Sequence, residues 1–326
     1  MPITLAEAKL NVQDDLQMGV IDEFRKSSFL FENLTFDDAV SPTGGGGTLT
    51  YGYTRLLTQP TADFRDINAE YTPQSVTRKR HTVDLKVFGG SFEIDRVIAK
   101  MGGIVDEVTL QIEQKVKAAT ALFNDTVING DTGTNAKAFD GLDKALLGSS
   151  TEYTPTAAID LSDSGAIDAN YKTFLDQLDE FLLGLDGAPS AIMGNSKLIA
   201  KIRAVARRSA MYSTQLNEFG QQVEYYGITP LVDLGTKAGS NDPVVGINGQ
   251  GETSLYVARL GLDGFHGVSL AGDNVVNLWL PDFTSSGAVK KGEVEMVAAV
   301  ALKASIFLRK LATCFSKIFS FHSLLK

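Results

Sequence analysis

The sequence predicts an α+β chain in which a projecting β-ribbon and one long helix precede a region of alternating helices and strands. Three observations predict it. Apolar residues recur every three or four positions from 103 to 129, two β-prone stretches at 48–57 and 83–87 enclose about twenty-five mostly polar residues, and helical and strand patterns alternate beyond 150.

The 326 residues suffice for one large domain or two smaller ones, and 44% hydrophobic with 21% charged is an ordinary globular composition. A formal charge of −9 argues against a general nucleic-acid-binding surface, which needs cations to displace counterions from phosphates. The one cysteine, Cys314, excludes an internal disulfide framework and a cysteine-rich metal site, and suits a reducing cytoplasm. His81, His266 and His322 lack metal-ligand spacing, so neither a metal nor a cofactor is expected. Residues 1–10 contain Glu7 and lead into no apolar run, so no secretion signal is expected. The apolar run at 296–302 is far shorter than the roughly 20 residues that a bilayer-spanning helix needs, so no membrane is expected as a partner of this stretch.

In chain order, Leu5, Ala8, Val12, Leu16, Val20 and Phe24 fall at helical intervals, with Glu7, Asp14, Asp15, Asp22 and Glu23 elsewhere. This predicts an amphipathic arm over 4–27 that packs on the body or on a neighbour. Gly44, Gly45, Gly46 and Gly47 precede no Gly-Lys-Ser/Thr and open no helix, so they read as a hinge rather than a phosphate loop. Leu49, Tyr51 and Tyr53 mark the first ribbon strand. Val83, Leu85 and Val87, alternating with Asp84 and Lys86, mark the second. The ribbon carries Pro60, Pro73, Arg55, Arg65, Arg78, Lys79 and Arg80 with few large apolar groups. So polar a ribbon cannot fill a core, and an unsupported two-stranded ribbon is marginal in water, so it must find partners elsewhere.

Val105, Val108, Ile112, Val116, Ala119, Phe123 and Val127 then predict a helix over 103–129, about 26 residues or ~39 Å long. Gly130 is expected to end it as a left-handed cap. Asp131-Thr132-Gly133, with Asp163-Ser164-Gly165 further on, repeats the tripeptide of aspartic proteases. Such enzymes hold two carboxylates about 3 Å apart on turns that follow apolar strands, with a lobe of strands between them. The interval between Asp131 and Asp163 is too short for a lobe and neither follows such a strand. The hydrolase is therefore the minor alternative, and 131–135 reads as a tight turn after the helix. Ala136 and Leu142 stand where a calcium loop needs glycine and glutamate.

Beyond 150, Phe174, Leu175, Leu178, Phe181 and Leu182 predict a helix over 169–183, followed by a strand at 189–193. Asn195 is expected to cap a helix through 210 that bears Lys197, Lys201, Arg203, Arg207 and Arg208, either a grip for an acidic partner or a solvated face. Strands are expected at 222–233, 243–247, 254–260 and 274–281, and a long one at 290–308. The tail, 303–326, has Lys303, Arg309, Lys310, Lys317 and Lys326, no acid, and Phe307, Leu311, Phe315, Ile318 and Phe319 at near-helical spacing. It reads as a basic amphipathic helix, either for a membrane surface or acidic partner or as a terminal helix closing a core.

The ordered set resembles the major capsid proteins of tailed bacteriophages, with the Hong Kong 97-type fold. The stretch "FNDTVINGDTGTNAKAFDGL" resembles the end of their spine helix and its turn, "SFEIDRVIAKMGG" the strand before it, and "PSAIMGNSKLIAKI" and "YYGITPLV" steps of their axial domain. The resemblance implies an N-terminal arm at 1–35 that clasps a neighbour, and an extended E-loop with its base strands at 36–95 that lies across an adjacent subunit. It further implies a peripheral domain with the spine helix at 96–150 and an axial α/β domain at 151–285. Residues 286–326 would form the return strand and basic tail. The implied function is the icosahedral head shell, built of hexamers and pentamers, that encloses double-stranded DNA without binding it specifically. Its implied place is the virion, after assembly in the host cytoplasm, with a separate scaffolding protein, a portal and a decoration protein as candidate partners. Arg55, Arg65, Arg78, Lys79, Arg80 and the basic helix are the candidate intersubunit contacts. An encapsulin compartment shell is the alternative within the fold. Tyr71-Thr72 precedes Pro73 where some relatives carry a cross-linking lysine, so no cross-link is carried over.

Overall fold

The computed structural model describes residues 29–41, 48–100, 106–149, 151–153, 158–209, 212–216, 222–303, 308–311 and 315–316. The arm expected over 4–27 and the hinge Gly44–Gly47 lie outside these residues.

A short helix, α1 (Phe29–Asn33), leads into β1 (Phe36–Val40). The ribbon follows as β2 (Thr50–Leu56) and β3 (Arg78–Asp84), paired antiparallel from Thr50 opposite Asp84 to Leu56 opposite Arg78. The expected second ribbon strand is in fact two. Leu85 is buried at the break, and β4 (Lys86–Asp95) leaves the ribbon to join another sheet. The long helix, α2 (Glu107–Asn129), begins at Asp106, whose carboxylate accepts from the Thr109 N–H at 3.0 Å.

Gly130 ends α2 but is no left-handed cap: its φ of −59° and ψ of 133° are open to any residue. Space selects glycine here. A Cβ at Gly130 would lie 2.2 Å from the Phe139 carbonyl oxygen and 2.4 Å from that of Thr126. The chain folds back so that Gly141 N–H donates to the Gly130 carbonyl at 2.7 Å, and α3 (Leu142–Leu146) follows.

Two-residue strands β5 (Glu152–Tyr153) and β6 (Ile159–Asp160) precede α4 (Ser164–Leu183), which starts earlier than its apolar pattern because Asp163 caps it, accepting from Ala166 N–H at 2.8 Å. Its inward residues Phe174, Leu178 and Phe181 are buried as the spacing predicts. After β7 (Ala191–Gly194), Asn195 caps α5 (Ser196–Arg208) through Leu198 N–H at 2.9 Å. The stretch expected as one strand at 222–233 is a hairpin of β9 (Gln222–Tyr226) and β10 (Thr229–Asp233), turned by Gly227 at φ +60°, and β8 (Tyr212–Leu216) flanks it. The strand expected at 243–247 is only two isolated bridges, Thr236 with Pro243 and Ile247 with Thr253. Next come β11 (Leu255–Ala258), β12 (Phe265–Leu270), β13 (Val276–Trp279) and β14 (Val289–Leu302).

Two layers result. Strands β1, β12, β14 and β13 form one sheet, with β4 along the other edge of β14 in ten-residue register from Val289 opposite Asp95 to Ala298 opposite Lys86. Helix α2 covers this sheet through Phe123, Val127 and Ile128. The second sheet runs β5, β15 (Leu308–Leu311), β11, β7, β10, β9, β8, and packs on α4 and α5. The tail is thus not a helix over these residues. Residues 308–311 form a strand inserted between β5 and β11, with Leu311 buried in the second core, and β16 (Phe315–Ser316) pairs with β6.

Candidate functional site

The parts of this chain that invite a partner are the ribbon, the turn after α2, and the basic helix α5. Residues 56–80 are exposed throughout, with Phe64 at 102% and Ile67 at 91% of full exposure. Large apolar side chains this bare on a projecting element are uncommon unless something covers them in the functional state.

The root of the ribbon is tied to the body. Arg55 donates from Nε to the Lys303 carbonyl at 3.1 Å and from a terminal nitrogen to that of Leu302, and its guanidinium lies over the Tyr53 ring at 5.5 Å. Tyr51 donates to Asp37 at 2.9 Å, and burial, then that carboxylate, pushes its phenol up to about 12. Behind Tyr51 sits His266, fully buried on β12, its ring edge-on to Tyr51 at 5.8 Å. Gly264's backbone approaches the ring, but among the described residues neither ring nitrogen has a hydrogen-bond partner of full geometry. Burial, and then the Lys303 cation, hold its pKa below the usual imidazole range. His266 was not foreseen; a polar residue inside the apolar run of β12 was the available signal.

Of the other ribbon cations, Arg65 bonds to the carbonyls of Asp66 and Ala69 and lies over Tyr71 at 5.3 Å, whereas the side chains of Arg78, Lys79 and Arg80 make no hydrogen bond or ion pair with the described residues. On α5, Arg203 pairs with Glu224, Arg208 with Asp168 and the Ser164 hydroxyl, and Lys201 donates to the Ser162 carbonyl. These three cations therefore fasten α5 to its own subunit. Among the described residues, Arg207 reaches only the Arg203 carbonyl of its own helix. Lys197 lines a cleft of about 550 Å³ with Asp233, Lys237 and Asp242.

At the turn, the Asp131 carboxylate accepts from Gly133 N–H at 2.9 Å and the Thr134 hydroxyl at 2.8 Å, and pairs with Lys144 at 2.7 Å. Lys144 also holds Asp140 at 2.9 Å. These bonds, Lys144 first, keep the Asp131 pKa well below the usual carboxylate range. A proton-sharing dyad would raise one carboxyl instead, and Asp163 is engaged as a helix cap. The carboxylates thus organise a turn and a helix start. Among the described residues no group of histidine, cysteine and carboxylate side chains could hold a metal, and no helix is long and apolar enough to cross a membrane.

No protein-family model and no curated protein matches the sequence. Solved structures do match. The SrpI encapsulin of Synechococcus elongatus PCC 7942 superposes at a TM-score of 0.65, with 14% identity over 100% of both chains. The capsid of the native GTA particle follows at 0.59 and 13%, covering 95% of this chain and 97% of that one, and the capsid of Myoviridae phage XM1 at 0.57 and 11%, covering 95% and 99%. This chain has the Hong Kong 97-type capsid fold.

Proposed function

We propose that this chain is the major capsid protein of a tailed bacteriophage, many copies of which close into an icosahedral head around double-stranded DNA through hexamers and pentamers. The observation that supports it is the full-length likeness to chains of assembled shells, joined to a ribbon whose tip is exposed and whose Arg78, Lys79 and Arg80 side chains form no ion pair among the described residues. The ribbon of one copy lies on the next, and charge on such rims sets register and partner choice more than affinity. A net charge of −9 per chain suits a wall that encloses DNA without gripping it. The work is structural, with no catalytic step.

An encapsulin-type compartment is the second reading, favoured by the match to SrpI over 100% of both chains. Sedimentation of the purified protein across a concentration series, with electron microscopy of any fast fraction, tests assembly. Closed shells or their hexamers and pentamers are expected; a chain that stays monomeric alone and beside the scaffolding protein encoded nearest to it would overturn both readings. Particles isolated from the source organism then separate them, because nuclease-protected double-stranded DNA marks a head and a protein cargo without DNA marks a compartment.

A further inference from the structure

Between β4, the exposed side of α2 and the turn that follows it lies a half-open cleft of about 360 Å³. Its floor is apolar: Phe139 is buried, Phe88 is partly buried, and Leu122 and Val87 remain 38% and 55% exposed. Lys86 and Lys137 stand at its rim, and Lys86 reaches across to donate to the Ala136 carbonyl at 3.2 Å. An apolar trough edged by cations fits an amphipathic acidic segment.

This chain contains such a segment. Val12, Leu16, Val20 and Phe24 recur every four residues, flanked by Asp14, Asp15, Asp22 and Glu23. Its point of attachment is close by. Helix α1 packs on α2, the Phe31 ring lies 5.8 Å from that of Phe123, and Phe123 is the residue next to Leu122 and stacks on Phe88 at 6.0 Å. From Phe29 back to Phe24 the chain can span roughly 7 Å as helix or up to about 17 Å extended.

We propose that this cleft is the seat of the chain's own N-terminal segment, residues 12–24, with its apolar stripe on Leu122 and Phe88 and its carboxylates toward Lys86 and Lys137. The arm that the capsid resemblance sends to a neighbour thus has a place on its own subunit. The seat does not depend on shell assembly, so it stands or falls separately from that reading.

Disulfide trapping in the full-length chain tests it. With Cys314→Ser as background, Leu122→Cys is combined in turn with Leu16→Cys, Val20→Cys and Phe24→Cys, and an equal mixture of isotope-labelled and unlabelled protein is oxidised and mapped by mass spectrometry. At least one pair should close within a single chain on the order of ten times faster than Leu122→Cys with Ser285→Cys as control. No excess over the control, or cross-links only between labelled and unlabelled chains, overturns the proposal. Separately, Leu122→Glu, a change at a partly exposed position, should speed tryptic cleavage at Lys9, Arg25 and Lys26 on the order of tenfold, and an unchanged rate would count against the seat.

Discussion

Replacing Gly130 with alanine should destabilise the subunit severely for a single methyl group. The added carbon would stand 2.2 Å from the Phe139 carbonyl oxygen and 2.4 Å from the Thr126 carbonyl oxygen, both backbone atoms that cannot turn aside. Relief requires opening the fold-back, which endangers the Gly130 N–H to Thr126 bond at 2.8 Å and the Gly141 N–H to Gly130 bond at 2.7 Å. Overpacking strain of ~1–3 kcal/mol plus about 1 kcal/mol for a weakened hydrogen bond gives ~2–4 kcal/mol. Denaturant unfolding of the dispersed subunit reads this directly, as a lowered midpoint at unchanged slope. Gly133→Ala is the internal control, because its new carbon meets only the Asp131 carboxylate at 3.2 Å, and it should stay within about 0.5 kcal/mol of the parent. A Gly130→Ala variant as stable as the parent would refute the steric account. So would a Gly130→Asn variant more stable than the alanine one, since asparagine helps only at a left-handed cap.

Two further outcomes follow from the titrating groups. His266 has its pKa lowered in the fold from 6.5, so the unfolded chain binds the extra proton first; stability should be full above about pH 6.5 and fall as pH drops toward the folded value. Urea midpoints between pH 7.5 and 5 should show this slope, and His266→Phe should flatten it; an unchanged slope would exclude His266 as the source. Asp131 is also depressed, so its contribution is present above the usual carboxylate range and is lost on acidification through the folded value. Asp131→Asn should therefore be less stable than the parent at pH 7 and equal to it in strong acid, with no change in peptide hydrolysis. Hydrolysis by the parent that vanished in this variant would restore the protease reading.

What could be read from the sequence followed local periodicity. The stripe from Val108 to Val127 specified α2, and Asn195 marked the start of α5, because helix spacing and caps are written within a few residues. Strand β12 escaped because Phe265 to Ser269 is buried on both faces and shows no alternation. The tail misled for the opposite reason: Phe307, Leu311 and Phe315 have helical spacing, but pairing with Leu255 to Ala258 decided the conformation of 308–311. Gly130 misled because a close approach by Phe139 is invisible at its own position. Of the candidate contact residues, charge and ribbon polarity were legible, but not that Arg55 reaches back to the carbonyls of 302 and 303, or that Arg203 and Arg208 have partners in their own subunit.

The insertion of 308–311 between β5 and β11 also sets a clock on biosynthesis. When β11 leaves the ribosome its edge toward β5 is still bare, and roughly fifty more residues must be made before the strand that fills the gap appears. Until then an open sheet edge invites pairing with the wrong chain. A nascent subunit therefore cannot mature domain by domain from its N-terminus. Its second sheet closes late, once nearly the whole chain has been made.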